Sequence, residues 1–530
     1  VYKRQAMACA TPTLAGGLLT NTNQHVAFNR MMSREASIGI DGVYYNPAGV
    51  VFMSEGHHLA INWQLAFQTR TINNDYALFT NNVNNPITPR DFKGTAFAPV
   101  IPSFQYAYNK GKWSFQASFA LTGGGGKCTF DDGLGSFEKI VAETAIAACG
   151  LAGVVDQTLG NTLGQPGMEM FTSDQAFGKT GKYSFNSYMH GRQYYYGLSV
   201  GAAYKFCDNF SAFLGVRGVY ALTNYYGYVE NINVGNMPLY KVLDPTKESS
   251  ANIELSCDQS GVGFTPIIGV DYKTGRWNFS AKYEFKTRIR LKNKSVNQTP
   301  SIGNLPANLA NQMTGILTAK YQQAGLPLEQ AKQQAENTTN AVLNDPTVGA
   351  TMMGLKTQFD QKLNKAIGEY EDGKKIAGDI PAYLALGVGY SPVDAVRVNV
   401  GFHWFDDKNA TSYNNRNKEL KRGTLEYNAG VEVDVNKKIT LSTGWQNTNY
   451  GLSDEYMDDK SFVVSSNSVA IGGVYHINKK MDLNVAYFHT FYQHKKTTET
   501  VQLTADRSLN YSSDYTRNNN VFAVGLDINF

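Results

Sequence analysis

Between residues 276 and 292 the chain alternates strictly between two kinds of side chain. Trp277, Phe279, Ala281, Tyr283, Phe285, Thr287, Ile289 and Leu291 fall on one face. Asn278, Ser280, Lys282, Glu284, Lys286, Arg288, Arg290 and Lys292 fall on the other. Period-two alternation is the signature of a strand whose faces meet different surroundings. An apolar face backed by one this charged separates two very different media: core and bulk water in a soluble sandwich, or lipid and a wet lumen in a membrane barrel.

The ensemble of strands chooses between them. Tyr196, Leu198, Val200, Ala202, Tyr204 and Phe206 share a face, and Phe210, Ala212, Leu214 and Val216 follow after a tight turn. Val396, Val398, Val400, Phe402 and Trp404 alternate with polar or small partners, as do Leu425, Tyr427, Ala429, Val431, Val433 and Val435. The connections are sorted by length. Short polar turns sit at residues 110–112, 207–209, 274–276, 391–394, 436–438 and 478–480, and long polar segments join the hairpins. Short turns at one end and long loops at the other are the pattern of an outer-membrane barrel. Fourteen strands are expected, at 57–72, 98–109, 112–129, 190–206, 209–230, 259–273, 276–294, 380–391, 395–410, 423–435, 438–450, 464–478, 481–498 and 514–530. The fold class is thus an all-β, 14-stranded antiparallel transmembrane barrel. Its long loops, at about 130–189 and 295–379, contain helical segments at 136–163 and 305–372 and would be extracellular.

The C-terminus continues the pattern, with Phe522, Val524, Leu526, Ile528 and the terminal Phe530 on one face. A last strand ending in Phe resembles the signal read by the barrel-assembly machinery, which makes Phe530 the candidate assembly residue. Residues 1–15 read as the remnant of a signal peptide, with Thr13-Leu14-Ala15 before a plausible cleavage site. The net charge of +4 shows no basic stripe for nucleic acid. The five cysteines have no zinc spacing. Cys128 and Cys149 are open to pairing in an oxidising compartment, and the favoured reading leaves them as free thiols. No hydrolase elbow, zincin motif or phosphate loop occurs, so neither an enzyme, a metal nor a cofactor is expected. His403 and His476 face inward with no partner apparent in the sequence.

Residues 34–39 (Arg-Glu-Ala-Ser-Ile-Gly), Asp41-Gly42 and Tyr45-Asn46-Pro47-Ala48-Gly49, set in front of fourteen strands, resemble the FadL/TodX outer-membrane transporters of long-chain fatty acids and aromatic hydrocarbons. Ala98-Pro99-Val100-Ile101-Pro102 before the second strand resembles them too. The resemblance implies an N-terminal hatch over residues 16–56, carrying the Asn46-Pro47-Ala48 motif, inside a barrel over 57–530. It implies a lumenal kink at Gly123, Gly124, Gly125 and Gly126, opening a lateral window in the third strand, where the residues alone leave a flexible strand end below a loop as the alternative. Replacing Gly124 and Gly125 by Val is then expected to straighten that strand with no loss of stability.

Three features depart from the pattern, one of them a short loop after strand five where helical loop structure is expected. The loop between strands three and four is longer than the family's, and Tyr220-Ala221-Leu222 stands where a basic residue is expected. Candidate ligand contacts are the lumenal bases Arg217, Lys282, Lys286 and Arg288, with Arg290 and Arg397, and the inward aromatics Phe213, Phe405 and Phe488. A lumenal charge network with Glu284, Glu426, Glu432 and Asp434, and packing of the aromatics on the hatch, are the alternatives. The implied function is passive passage of a hydrophobic small molecule across the Gram-negative outer membrane by a monomer, with membrane lipid and the assembly machinery as its other partners. A diffusion porin, or a surface receptor or adhesin (haem binding included), are the competing readings.

Overall fold

The computed structural model describes residues 18–300, 302–504 and 506–530. The leader, Cys9 and the first two residues of the expected hatch lie outside them. The strands form one closed antiparallel barrel. They are β1 Gly56–Tyr76, β2 Arg90–Lys110, β3 Trp113–Phe130, β4 Tyr183–Lys205, β5 Phe210–Val234, β6 Ile253–Thr274 and the two-part β7, Trp277–Glu284 with Arg290–Ser295. Then follow β8 (Lys375–Ala377 with Tyr383–Val393), β9 Val396–Phe405, β10 Thr424–Asn436, β11 Ile439–Asn449, β12 Ser466–Asn478, β13 (Met481–Tyr492 with Lys495–Thr504) and β14 Arg507–Asn529. β14 closes on β1 from Asn529–His58 to Tyr511–Tyr76. The His57 and Phe530 backbones exchange both hydrogen bonds at the seam, at 2.7 and 2.9 Å. Closure matters because an open edge would leave a row of unpaired backbone groups.

The barrel is inside-out. Ile61, Trp63, Leu198, Leu214, Phe264, Ile471 and Phe522 are all exposed on its outer surface, while Asn62, Gln64, Gln105, Gln116, Glu426, Gln446 and Asn519 are buried within. Burying polar side chains while exposing a continuous apolar belt is unfavourable in water. It is the arrangement a barrel adopts when hydrocarbon surrounds it.

All fourteen expected strands are present, and the largest differences are extensions at the long-loop end. β4 begins at Tyr183 and β14 at Arg507, and β13 runs on to Thr504. Beyond the belt both faces meet water or loop, so alternation no longer marks the strand. The short helices α1 Val26–Met31 and α2 Gly42–Tyr45 precede the barrel, and the loops hold helices of their own: α3 Gly135–Leu163, α4 Leu305–Gln323, α5 Leu328–Leu343 and α6 Pro346–Ile367. α3 is long and apolar enough by composition to cross a membrane. Its apolar side (Val141, Ala145, Leu151, Val155, Leu159) packs instead in one cluster with Leu309, Met313 and Leu317 of α4.

β7 corrects one expectation. Its alternation is unbroken in sequence, yet the strand changes face between Glu284 and Arg290. Lys282 and Glu284 are buried inside, as are Thr287, Ile289 and Leu291, whereas Arg288 and Arg290 are exposed. The β6–β7 register steps from Ile267–Glu284 to Ser260–Lys292, one residue out of phase. Pro266 stands at the break, where it accepts from the Phe285 amide at 3.0 Å but has no N–H to return. Gly261 and Gly263 leave the room that Thr287 and Ile289 fill: a Cβ on Gly263 would lie 2.6 Å from Thr287 Cγ2. Arg288 and Arg290 are therefore not lumenal.

Candidate functional site

Residues 20–36 are buried inside the barrel, with the short helices α1 Val26–Met31 and α2 Gly42–Tyr45. The imidazole of His25 caps α1, its Nδ1 accepting from Ala27 N at 2.9 Å. Met32 ends it in the left-handed region at φ 60°. So short a segment cannot bury a core of its own. It is held by the polar inner faces of the strands.

Each residue of the Asn46-Pro47-Ala48 motif is tied to a different strand. Asn46 Nδ2 donates to Asp271 of β6 at 2.6 Å. Gln116 of β3 donates to the Pro47 carbonyl, and Ser211 of β5 to the Ala48 carbonyl, both at 2.7 Å. Arg217 grips Glu284 through two hydrogen bonds, at 2.6 and 3.0 Å. Lys282 donates to Glu284 at 3.0 Å and to the Tyr44 carbonyl at 2.6 Å, with its ammonium 4.0 Å above the Tyr44 ring. These two bases are thus spent on seating the inner segment. Arg397 binds Glu432 and Asp434, and Glu432 also takes Arg30 of the inner segment. Lys286 lies further up and donates to the Asn409 carbonyl at 3.1 Å. The charge-network alternative therefore describes these bases.

The aromatics divide similarly. Phe213 packs on Ala48 and Val51, and Phe488 on Phe28, Met32 and Tyr45. Phe405 stacks on Tyr383 with ring centroids 4.6 Å apart. His403 finds the partners that sequence could not supply. Its Nε2 meets Glu35 of the inner segment at 2.7 Å and its Nδ1 meets Glu426 of β10 at 2.8 Å. His476 pairs with Asp482 at 2.7 Å.

The glycine run lies where the wall is interrupted. β2–β3 pairing stops at Ser103–Ala120 and resumes at Ala96–Cys128, leaving residues 97–102 and 121–127 without each other. Both strands contribute. Pro99 and Pro102 of β2 have no N–H. Gly124, Gly125 and Gly126 take φ of 69°, 140° and 142°, values that side chains other than hydrogen resist. The β3–β4 register shifts on both sides of Gly124. From Ala120 to Gly126 every residue is buried, where the rest of β3 alternates, so the strand is drawn inward.

The inner segment covers the gap from within. Asn21 N donates to the Thr122 carbonyl at 3.0 Å and Asn21 Nδ2 to the Gly124 carbonyl at 2.7 Å. Ser103 and Gln105 both donate to the Gln24 carbonyl at 2.7 Å. Behind these bonds an apolar cluster joins Phe28, Met32, Tyr44 and Tyr45 to Ala98, Ile101, Leu121 and Phe488.

The glycines also overturn the expectation for their replacement by valine. A Cβ on Gly124 would stand 2.5 Å from the Gln193 backbone oxygen. Substitution there strains the fold before it can straighten the strand.

One pair was not legible as a site. Arg70 on β1 and Arg517 on β14 stand directly opposite each other and both turn inward. Each donates to Gln68 Oε1, at 3.2 and 2.8 Å. Arg70 has no carboxylate partner among the described residues. Its guanidinium carbon is 6.0 Å from the Phe462 ring, and that of Arg517 is 5.1 Å from the Tyr492 ring. Phe462 belongs to an apolar cluster with Ile72, Cys128, Phe130 and Val464. The arginines sit 447 positions apart in the chain, and only closure of the first strand on the last brings them together.

The loops hold an apolar cavity of about 80 Å³ between α3, α4 and α6. Ile140, Leu151, Leu305 and Phe359 are among its walls, and the Lys362–Glu143 ion pair, at 2.6 Å, lies at its edge. Cys128, Cys149, Cys207 and Cys257 are free thiols, which agrees with the favoured reading of Cys128 and Cys149.

Fold and inner segment together define a class: a closed β-barrel of the outer-membrane type whose lumen is occupied by its own N-terminal residues. No family model matches the chain, and no curated protein does. Among solved structures it is similar to a Pseudomonas aeruginosa FadL homologue, with a TM-score of 0.59 at 13% identity over 97% of this chain and 100% of that one. It is also similar to a TodX deltaS2S3 mutant described as a monoaromatic hydrocarbon channel, with a TM-score of 0.50 at 13% identity over 95% and 98% of the two chains. At such identities the likeness establishes a shared fold across nearly the whole chain.

Proposed function

We propose that this protein is a FadL/TodX-type channel of the Gram-negative outer membrane that passes hydrophobic small molecules without an energy source. The short turns then face the periplasm and the long loops the exterior. The observation that carries the reading is the interrupted β2–β3 wall, backed on the lumen side by apolar residues of the inner segment. A ligand leaving through such a gap enters the membrane directly and never crosses the aqueous periplasm.

The path begins at the loop cavity, passes the arginine pair Arg70 and Arg517, and ends at the gap. Apolar walls favour transfer of a hydrophobic molecule from water by roughly 25 cal/mol per Å² buried. The arginine pair suits a carboxylate head group, since guanidinium–carboxylate hydrogen bonds are charge-assisted and geometrically matched. An amphipathic carboxylate is thus the preferred cargo, with Asn46-Pro47-Ala48 anchoring the hatch and Gly123 to Gly126 forming the exit.

Native mass spectrometry of the detergent-extracted protein tests the cargo. Co-purified fatty acid, displaced by an added long-chain carboxylate and not by the matching alkane, is the expected result. Retention of only neutral hydrocarbon would replace the carboxylate reading, and uptake in vesicles that is indifferent to Gly124→Val would remove the lateral exit.

A further inference from the structure

The change of face in β7 places charge where a membrane barrel ordinarily shows apolar or girdle residues. Above the break, Arg288, Arg290, Lys292 and Lys294 all point outward, because Ile289, Leu291 and Asn293 occupy the interior. Lys375 of β8 is exposed directly opposite Lys292. Like charges facing each other across a ladder are destabilising. Arg290 is paired with Asp379 at 2.8 Å. Arg288, Lys292, Lys294 and Lys375 form no ion pair with any described residue. The facing acid is Asp258 on β6, in register with Lys294, and its Oδ1 accepts from Asn224 at 2.9 Å.

The position of this face is as informative as its charge. Just below it lie Phe285, Phe264 and Val262, exposed by 43, 70 and 63%. From Trp277 near the short turn to Phe285 the strand rises by roughly 20 Å along the barrel axis, given about 3.3 Å per residue and a tilt near 40°. That nearly spans an apolar band about 25 Å tall. The cations therefore stand at its upper edge, in the head-group layer on the long-loop side.

We propose that this outward basic face binds the phosphates of an anionic lipid of the outer leaflet, with the lipid's acyl chains lying on Phe264, Val262 and Phe285. The inference rests on the membrane reading above. A lipid is favoured over a soluble phosphate because the cations and the apolar surface are continuous on one face, and only an amphipathic ligand uses both. Basic clusters at a membrane boundary attract anionic head groups in proportion to their charge. The unpaired Lys292–Lys375 contact gains the counter-charge it lacks, and the lipid becomes part of the barrel's outer surface beside the helical loop.

The test uses the full chain in nonionic detergent, offered an equimolar mixture of bisphosphorylated lipid A and its dephosphorylated counterpart, with bound species counted by native mass spectrometry. The bisphosphorylated form should dominate by roughly tenfold or more. The variant R288Q/K292Q/K294Q/K375Q should lose that preference while keeping its heat-modifiable mobility, which reports a folded barrel. Equal binding of both lipids, an unchanged preference in the variant, or displacement by millimolar inorganic phosphate would each overturn the proposal. Insertion into phosphatidylcholine vesicles separates the two levels. A barrel that inserts but shows no lipid preference removes this inference alone, and one that does not insert removes the membrane reading with it.

Discussion

Glu35 of the inner segment and His403 of β9 are hydrogen-bonded at 2.7 Å, and neither side chain is more than 1% exposed. The bond joins the part of the chain that fills the lumen to the wall around it. Glu35 also accepts from the Arg34 amide at 3.0 Å, so its carboxylate is positioned locally before it meets the imidazole. Removing one partner of a buried ionic pair costs about 3–5 kcal/mol, because the other is left uncompensated. Glu35→Ala should therefore loosen the inner segment while the barrel stays closed by its strands. Planar-bilayer recording is the check: ion conductance well above wild type is expected, and a silent variant would mean that this contact does not hold the segment in place.

Asn46 is a subtler case. Asn46→Ala leaves Asp271 with the Asn278 amide, at 2.8 Å, as its remaining side-chain donor. A lost hydrogen bond to a charged group costs about 1.5–3 kcal/mol. Local hydrogen exchange over residues 37–52 should accelerate by one to two orders of magnitude, with the strands unchanged. Exchange that accelerates everywhere equally would make Asn46 a determinant of the whole fold.

At Gly124 the structure sets the direction of the effect. Gly124→Val meets both a positive φ of 69° and the Gln193 carbonyl. Strain of this kind costs on the order of 1–3 kcal/mol. The unfolding midpoint should fall, and ligand passage should fall further than stability accounts for. Gly111→Ala in the β2–β3 turn is the control, since its φ of 57° is also positive but nothing lies within 4 Å of its Cβ position. Equal transport in both variants would assign the glycine effect to strain alone.

Arg70→Gln should weaken binding of a long-chain carboxylate by roughly tenfold to a hundredfold, the range of one charge-assisted hydrogen bond. Binding of a neutral hydrocarbon of equal length should be unaffected. Isothermal titration with both ligands reads the difference, and equal losses would make Arg70 a packing residue.

Asp407, in the loop after β9, accepts from the Leu18 amide at 3.2 Å and from Thr424 N at 2.9 Å. Burial pushes its carboxyl up to about 6. Because the folded value is raised, the protonated form is favoured in the folded chain. The stability it contributes is present below the ordinary Asp value near 4 and is lost as pH rises through about 6, on the order of 3 kcal/mol in all. Exchange protection of residues 406–424 should therefore be greater at pH 4 than at pH 7. Asp407→Asn should flatten that dependence, and an identical pH profile in the variant would place the titration elsewhere.

Strand number, the polar lumen and both helical loops were legible in the sequence, because alternation and turn length are local properties that each strand carries by itself. The Asn46-Pro47-Ala48 and glycine positions were legible too, as short motifs with backbone consequences. The structure alone decided which lumenal charges are committed. Arg217, Lys282 and Arg397 read either as ligand contacts or as members of a charge network, until the folded chain set Glu284 beside Arg217, Glu432 beside Arg397 and the Tyr44 carbonyl beside Lys282. Conversely Arg70 and Arg517, which no sequence feature singles out, become a pair only when β1 closes on β14. Arg288 shows the limit most plainly. A one-residue shift in register opposite Pro266 moved it from the lumen to the outer surface without interrupting the alternation of its own strand. Sequence periodicity reports which residues share a face, but which way a face turns depends on the neighbouring strand's hydrogen bonds, and those exist only in the closed barrel.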